Sequence, residues 1–110
     1  MIPVVDPGKL RHAVKLEMPV RQRNAMGEET DVWATLAEVR AAVEPVSGKE
    51  LFQAAQVQAL VTHRVTLRWL SGFDVKGRVI HGGRVLNPVF VRDLEERHEW
   101  LEIICLEQAG

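Results

Sequence analysis

The histidines and the cysteine of this sequence, His12, His63, His81, His98 and Cys105, could ligate a metal or take part in acid–base or nucleophilic chemistry. Their spacing argues against both uses. Structural zinc sites draw on Cys-x-x-Cys or on histidines three to five apart, and none of these residues is so placed. No metal and no cofactor are expected. His63 falls on a strand face with Val61, Val65, Leu67 and Trp69, where a hydrogen-bonded core histidine is a better reading than a catalytic base. Cys105 has Leu101 and Ile103 on its own face, and burial without a cationic neighbour keeps a thiol protonated and inert. Glu95, Glu96 and Glu99 cluster like a pair of acid–base carboxylates, but beside Arg97 they read as a solvated turn. Gly82-Gly83 lacks the flanking pattern of a phosphate loop and fits hairpin geometry instead. A small hydrolase built on His63 and Glu99 is the weakest reading, and no enzyme is expected.

The polar row Thr62, Arg64, Thr66, Arg68 carries the remaining chemistry. At a rise of ~3.3 Å per residue, its two arginines stand about 13 Å apart and could each meet a phosphate. They could equally be a solvent face or a subunit contact, and these two readings are favoured. Repeated around a ring, the same pair would make a basic band facing a central channel. The runner-up is a stand-alone barrel that binds nucleic acid or another partner, with Arg64, Arg68 and Arg92 as its binding face.

Composition limits the choice. The chain has 110 residues, enough for a single domain with a modest core, and 46% of them are apolar. Fourteen basic against fifteen acidic residues leave a net charge of −1, so no overall field draws the chain to nucleic acid or to an anionic bilayer. With three Trp, three Phe and no Tyr there are few platforms for stacking single-stranded bases. The single cysteine permits no internal disulfide and suits a reducing compartment. No apolar run reaches membrane-spanning length and the N-terminus has no secretory pattern, so a cytoplasmic protein without a membrane partner is expected.

The elements that must hold these groups are mostly strands. Residues 1–8 read as a flexible arm and 9–107 as a single barrel domain. From Leu10 the pattern alternates, with Val14, Leu16 and Met18 on one face, and Pro19 is expected to close this strand. Arg21 to Thr30, with Asn24 and Gly27, is expected to be an exposed hairpin loop, and its tip residues Asn24, Met26 and Glu28 a docking surface. Val32 to Val46 has helix-prone alanines but a period of two, placing Trp33, Ala37, Val39, Ala41 and Val43 on one face. Further strands are expected at Leu60–Leu70, Val75–His81, Arg84–Asp93 and Trp100–Glu107. Gly82-Gly83 joins two of them, and Asn87-Pro88 marks an edge or a bulge. Five or six short antiparallel strands would leave exposed edges unless the sheet curls, so the expected fold is an all-β small barrel.

One helix interrupts the strands. Ser47 and Glu50 have capping-box spacing, Val46 and Leu51 that of a hydrophobic staple, and Pro45 ends the preceding ladder. A short helix from about Gly48 to Val57 follows, between the second and third long strands.

These segments, in order, resemble the head–tail joining, or head-closure, proteins of tailed bacteriophages. The resemblance covers Pro7-Gly8-Lys9-Leu10-Arg11-His12, the strand ending at Pro19, Gly27, Trp33, Ala41 to Leu51, Gln56 to Arg64 with Thr62-His63-Arg64, Gly82-Gly83-Arg84-Val85 and Leu101 to Cys105. It implies a structural subunit that forms a dodecameric or hexameric ring below the portal, closes the DNA-filled capsid and docks the tail. The implied partners are copies of itself, a portal or adaptor protein, tail proteins and the double-stranded DNA threading the channel. The implied location is the host cytoplasm during assembly and then the head–tail interface of the virion. Channel or subunit contacts are expected at Ser47, Lys49, Glu50, Gln53, Gln56, Arg64 and Arg68, in part from a segment that rearranges on assembly.

Overall fold

The alternation of apolar and polar side chains is realised as a closed antiparallel barrel. In the computed structural model, which describes residues 7–46 and 62–107, the strands are β1 (His12–Arg23), β2 (Glu29–Pro45), β3 (His63–Arg68), β4 (Arg78–His81), β5 (Arg84–Asp93) and β6 (Trp100–Glu107). They close in the order β1-β2-β3-β6-β5-β4, with β4 returning to β1. Pro7–Lys9 forms a 3₁₀ turn ahead of β1. The helix expected from about Gly48 to Val57 lies outside the described residues.

Side chains alternate in and out along each strand, so one row per strand lines the interior. Val14, Leu16, Ala41, Val65, Leu67, Val79, Leu86, Leu101, Ile103 and Cys105 make up that core, and most of them are entirely shielded from solvent. Phe73 closes it from the loop before β4. In that loop the Asp74 carboxylate accepts from the Lys76 N–H at 2.8 Å and the Asp74 carbonyl from the Gly77 N–H at 3.0 Å. The turn shortens the strand expected at Val75–His81 to Arg78–His81. Gly77 is buried, and a Cβ there would stand 2.6 Å from Glu17 O, Met18 Sδ and Phe73 Cε1, so no larger residue fits without displacement.

Three expectations at the first hairpin need correcting. Pro19 does not close β1; it pairs with Trp33, and the ladder continues to Arg23↔Glu29. The expected ten-residue loop therefore contracts to the turn between Arg23 and Glu29. Trp33 also lies on the opposite face from Ala37. The register steps from Leu16↔Ala37 to Glu17↔Thr35, and this bulge at Leu36 inverts the alternation toward the turn. The third strand is shorter than Leu60–Leu70, because Trp69 and Leu70 leave the ladder while still packing on the core.

Gly82 and Gly83 take φ of 57° and 83°, as a two-residue hairpin requires. Pro88 is accommodated by a register shift between Pro88 and Phe90, the bulged alternative for a strand proline.

Candidate assembly surfaces

β1 and β2 run on past the barrel. β1 pairs with β4 at Lys15–Glu17, and β2 pairs with β3 at Ala41–Pro45, so residues beyond these points belong to a two-stranded ribbon. The ribbon projects about 20 Å at ~3.3 Å per residue, which accounts for principal extents of 53 × 28 × 26 Å. At its tip Asn24 Oδ1 accepts from the backbone N–H of Met26 and Glu28, at 2.9 and 3.0 Å, fixing the turn from within. Gly27 completes it at φ 81°. Of the three expected docking residues, Asn24 is thus a turn-forming group, Glu28 is exposed, and Met26 is 83% exposed. Ion pairs of Arg21 with Glu29 and Asp31, at 3.1 and 3.5 Å, rule the strands together.

At the ribbon's root stands a node that the sequence did not disclose. The Glu17 carboxylate accepts from Arg78 Nε at 2.6 Å, and the Arg78 guanidinium lies 4.2 Å from the centre of the Trp33 ring. Glu17 is nearly buried, so losing Arg78 would leave its carboxylate without this hydrogen-bonded partner away from water. The two residues are 61 apart in sequence, and only the register Glu17↔Arg78 brings them together. The bulge at Leu36 then turns Trp33 onto the same outer face.

A polar layer closes the barrel at the end formed by the β4–β5 turn. His12, His63, His81, Arg84 and Glu107 occupy the inward rows of five different strands. Arg84 binds both carboxylate oxygens of Glu107, at 2.9 and 2.7 Å, and lies 3.1 Å from His63 Nε2. Arg84 has no lone pair to offer, so His63 Nε2 is the acceptor and Nδ1–H donates to Thr62 Oγ1 at 2.9 Å. Burial, followed by the Arg84 charge, holds the His63 pKa below the ordinary histidine value, with Glu107 opposing. Burial likewise lowers that of His81, helped by His12, Arg84 and His63. His12 and His81 meet edge to face at 5.0 Å, and the buried His81 Nδ1 has no hydrogen-bond partner. His63 is thus the inward-facing, hydrogen-bonded histidine the strand pattern implied. Cys105 lies just inside, its thiol pushed up to about 12 by burial, which removes the thiolate at neutral pH.

The expected basic face is differently arranged. Arg64 is 3.9 Å from Glu44, Arg68 sits 5.0 Å over the Trp100 ring, and Arg92 donates to Glu102 at 2.8 Å. Thr66, between the first two, is buried with Ala42 and Ile104 on the outer side of the wall. Ser47, Lys49, Glu50, Gln53 and Gln56 lie outside the described residues. At the other end of the barrel His98 stacks on Trp69 at 4.3 Å and pairs with Asp93 at 3.2 Å. No cluster of three or more metal-ligating side chains occurs among the described residues.

A small closed antiparallel barrel with an outlying two-stranded ribbon defines an all-β module. The profile of the phage head completion protein family matches residues 5–108, and the chain belongs to that family. It is 29% identical over 106 residues to head completion protein gp7 of Enterobacteria phage HK97, covering 92% of this chain and 95% of the relative. It is 30% identical over 81 residues to head completion protein gp16 of Bacillus phage SPP1, covering 70% and 74%. The solution structure of protein SF1141 from Shigella flexneri 2a superposes with a TM-score of 0.77 at 26% identity, over 96% of this chain and 99% of that one. A chain from the virion of a native gene transfer agent particle gives 0.58 at 16% identity, over 91% and 96%, a likeness of fold. The protein has a structural role in the phage head, and its curated relatives are head completion proteins.

Proposed function

We propose that the chain is a connector subunit that forms a dodecameric or hexameric ring below the portal, closes the DNA-filled capsid and docks the tail. The observation that carries this reading is the ribbon. A barrel that has already closed its own sheet has no internal need for some 20 Å of solvent-exposed hairpin, whereas a subunit whose work is contact with neighbours does. Exposed Val20, Met26, Trp33, Leu36 and Phe90 add apolar contact area at the ribbon and on the barrel wall. In the ring, Ser47, Lys49, Glu50, Gln53 and Gln56 are assigned to the channel or to subunit contacts, and the tip at Met26 and Glu28 to docking.

The binding-barrel alternative requires Arg64, Arg68 and Arg92 to be available to phosphates. Each is matched by a carboxylate or an aromatic ring of the same chain, which favours a contact surface over a nucleic-acid face. Electron microscopy of the protein mixed with portal assemblies of its phage tests the proposal. A ring stacked coaxially on the portal is expected. Failure to form any ring, or binding elsewhere on the head, overturns it.

A further inference from the structure

The ribbon carries two backbone edges that no described strand covers. On β1 the uncovered edge runs from Met18 to Arg23, and on β2 from Glu29 to Arg40, since pairing to β4 and β3 lies beyond these limits. Elsewhere the strand order closes on itself, although His12–Val14 of β1 and Asn87–Asp93 of β5 also pair on one side only. Uncovered strand edges present rows of N–H and C=O groups that pair readily with another chain.

The two edges are chemically opposite. The β1 edge bears Arg21 and Arg23, and the β2 edge bears Glu29, Asp31 and Glu38 against the single cation Arg40, which lies at its barrel end and donates to the Arg11 carbonyl. Although Arg21 already pairs with Glu29 and Asp31, those carboxylates remain 52% and 66% exposed, and a carboxylate can accept more than one guanidinium. Pro19 offers no N–H, which limits donation from the β1 edge to the stretch nearer the tip, where the two arginines are.

We propose that the occupant of each edge is a second copy of this chain: the β1 edge of one copy pairs antiparallel with the β2 edge of the next, continuing the ribbons into an intersubunit sheet. This rests on the ring reading and supplies the joint. Because β1 and β2 are antiparallel within a chain, a neighbour displaced sideways presents β1 antiparallel to β2 again. Arg21 and Arg23 then face carboxylates on both sides. The contact is head-to-tail, uses each edge once and closes by rotation. Pairing β1 with β1, or β2 with β2, would instead gather like charges.

Two singly substituted proteins, Gln22→Cys and Thr30→Cys, test the joint. Both positions are exposed on the ribbon, and Cys105 is fully buried and does not compete. Each protein alone and an equal mixture are assembled on portal, treated with a mild thiol oxidant and resolved by non-reducing denaturing electrophoresis, with assembly followed by electron microscopy; a disulfide joins directly opposed strands but not like residues two strands, about 9.6 Å, apart. Cross-linked dimers are expected from the mixture and not from either protein alone. Rings without the mixed dimer, or dimers from one protein alone, overturn the edge pairing and leave the ring reading standing. If no ring forms, the ring reading falls and the joint falls with it.

Discussion

The barrel and the ribbon are built from the same two strands and obey opposite rules. Within the barrel, Lys15–Glu17 of β1 has neighbours on both sides, and the inward side chains Val14 and Leu16 are shielded almost completely. Beyond Glu17 the same strand has one neighbour, and from Val20 to Asp31 every residue is exposed. Stability is concentrated where three strands meet, and the ribbon contributes little to it, since a two-stranded hairpin is marginal by itself. A surface free of folding constraints can be shaped by its contacts.

Substitutions should separate the two regions, beginning with the core. Leu67→Ala, at a position with no solvent exposure, is expected to lose about 2 to 5 kcal/mol in chemical denaturation through lost burial and the cavity left behind. At the root, Arg78→Ala strands the Glu17 carboxylate and uncovers Trp33. About 2 to 3 kcal/mol is expected there, below the cost for a fully buried pair because Arg78 keeps some solvent contact. An equal loss in Arg78→Ala and a Glu17→Gln/Arg78→Ala double variant would show that the charge is not what matters. Gly77→Ala forces a methyl group against Glu17 O, Met18 and Phe73 and should cost about 1 to 3 kcal/mol, read as a lower denaturation midpoint.

Acid should act on the barrel's histidine-lined end and not on the ribbon. His63 and His81 have folded-state pKa values below the ordinary 6.5, so the unfolded chain takes up protons first. Stability is therefore full above that value and falls as pH drops below it, until the folded histidines also protonate. A denaturation series across this range checks the sign, and a His63→Gln/His81→Gln variant should flatten the slope. The smallest effect is expected at the tip, where Met26→Ser should change stability by no more than about 0.5 kcal/mol while weakening assembly. A large loss of stability there would end the division between the two regions.

Much of the barrel was legible because its signals are local. Val14 and Leu16, Val65 and Leu67, and Leu101, Ile103 and Cys105 each alternate within one strand, and Gly82-Gly83 fixes a turn with no help from elsewhere. The polar loops also kept their character, since Glu95, Glu96 and His98 accept positive φ where a β-branched residue would not. Pro19 was misleading because a proline ends a strand only when both of its edges must pair, and whether they do depends on how far β4 extends. The face of Trp33 was unreadable because one bulged residue, Leu36, reverses every position after it. Thr66 alternates with core residues yet is buried as well, which the pattern of its own strand does not reveal.

The sequence by itself determined an antiparallel β domain with the apolar row of each strand and its tight turns, because each depends on the few residues nearest in the chain. Tertiary structure decided where three strands give way to two, which histidines share one end of the barrel, and that Glu17, Trp33 and Arg78 meet at the boundary. Those outcomes follow from register between distant strands, and register is a property of pairs of segments that neither segment carries alone.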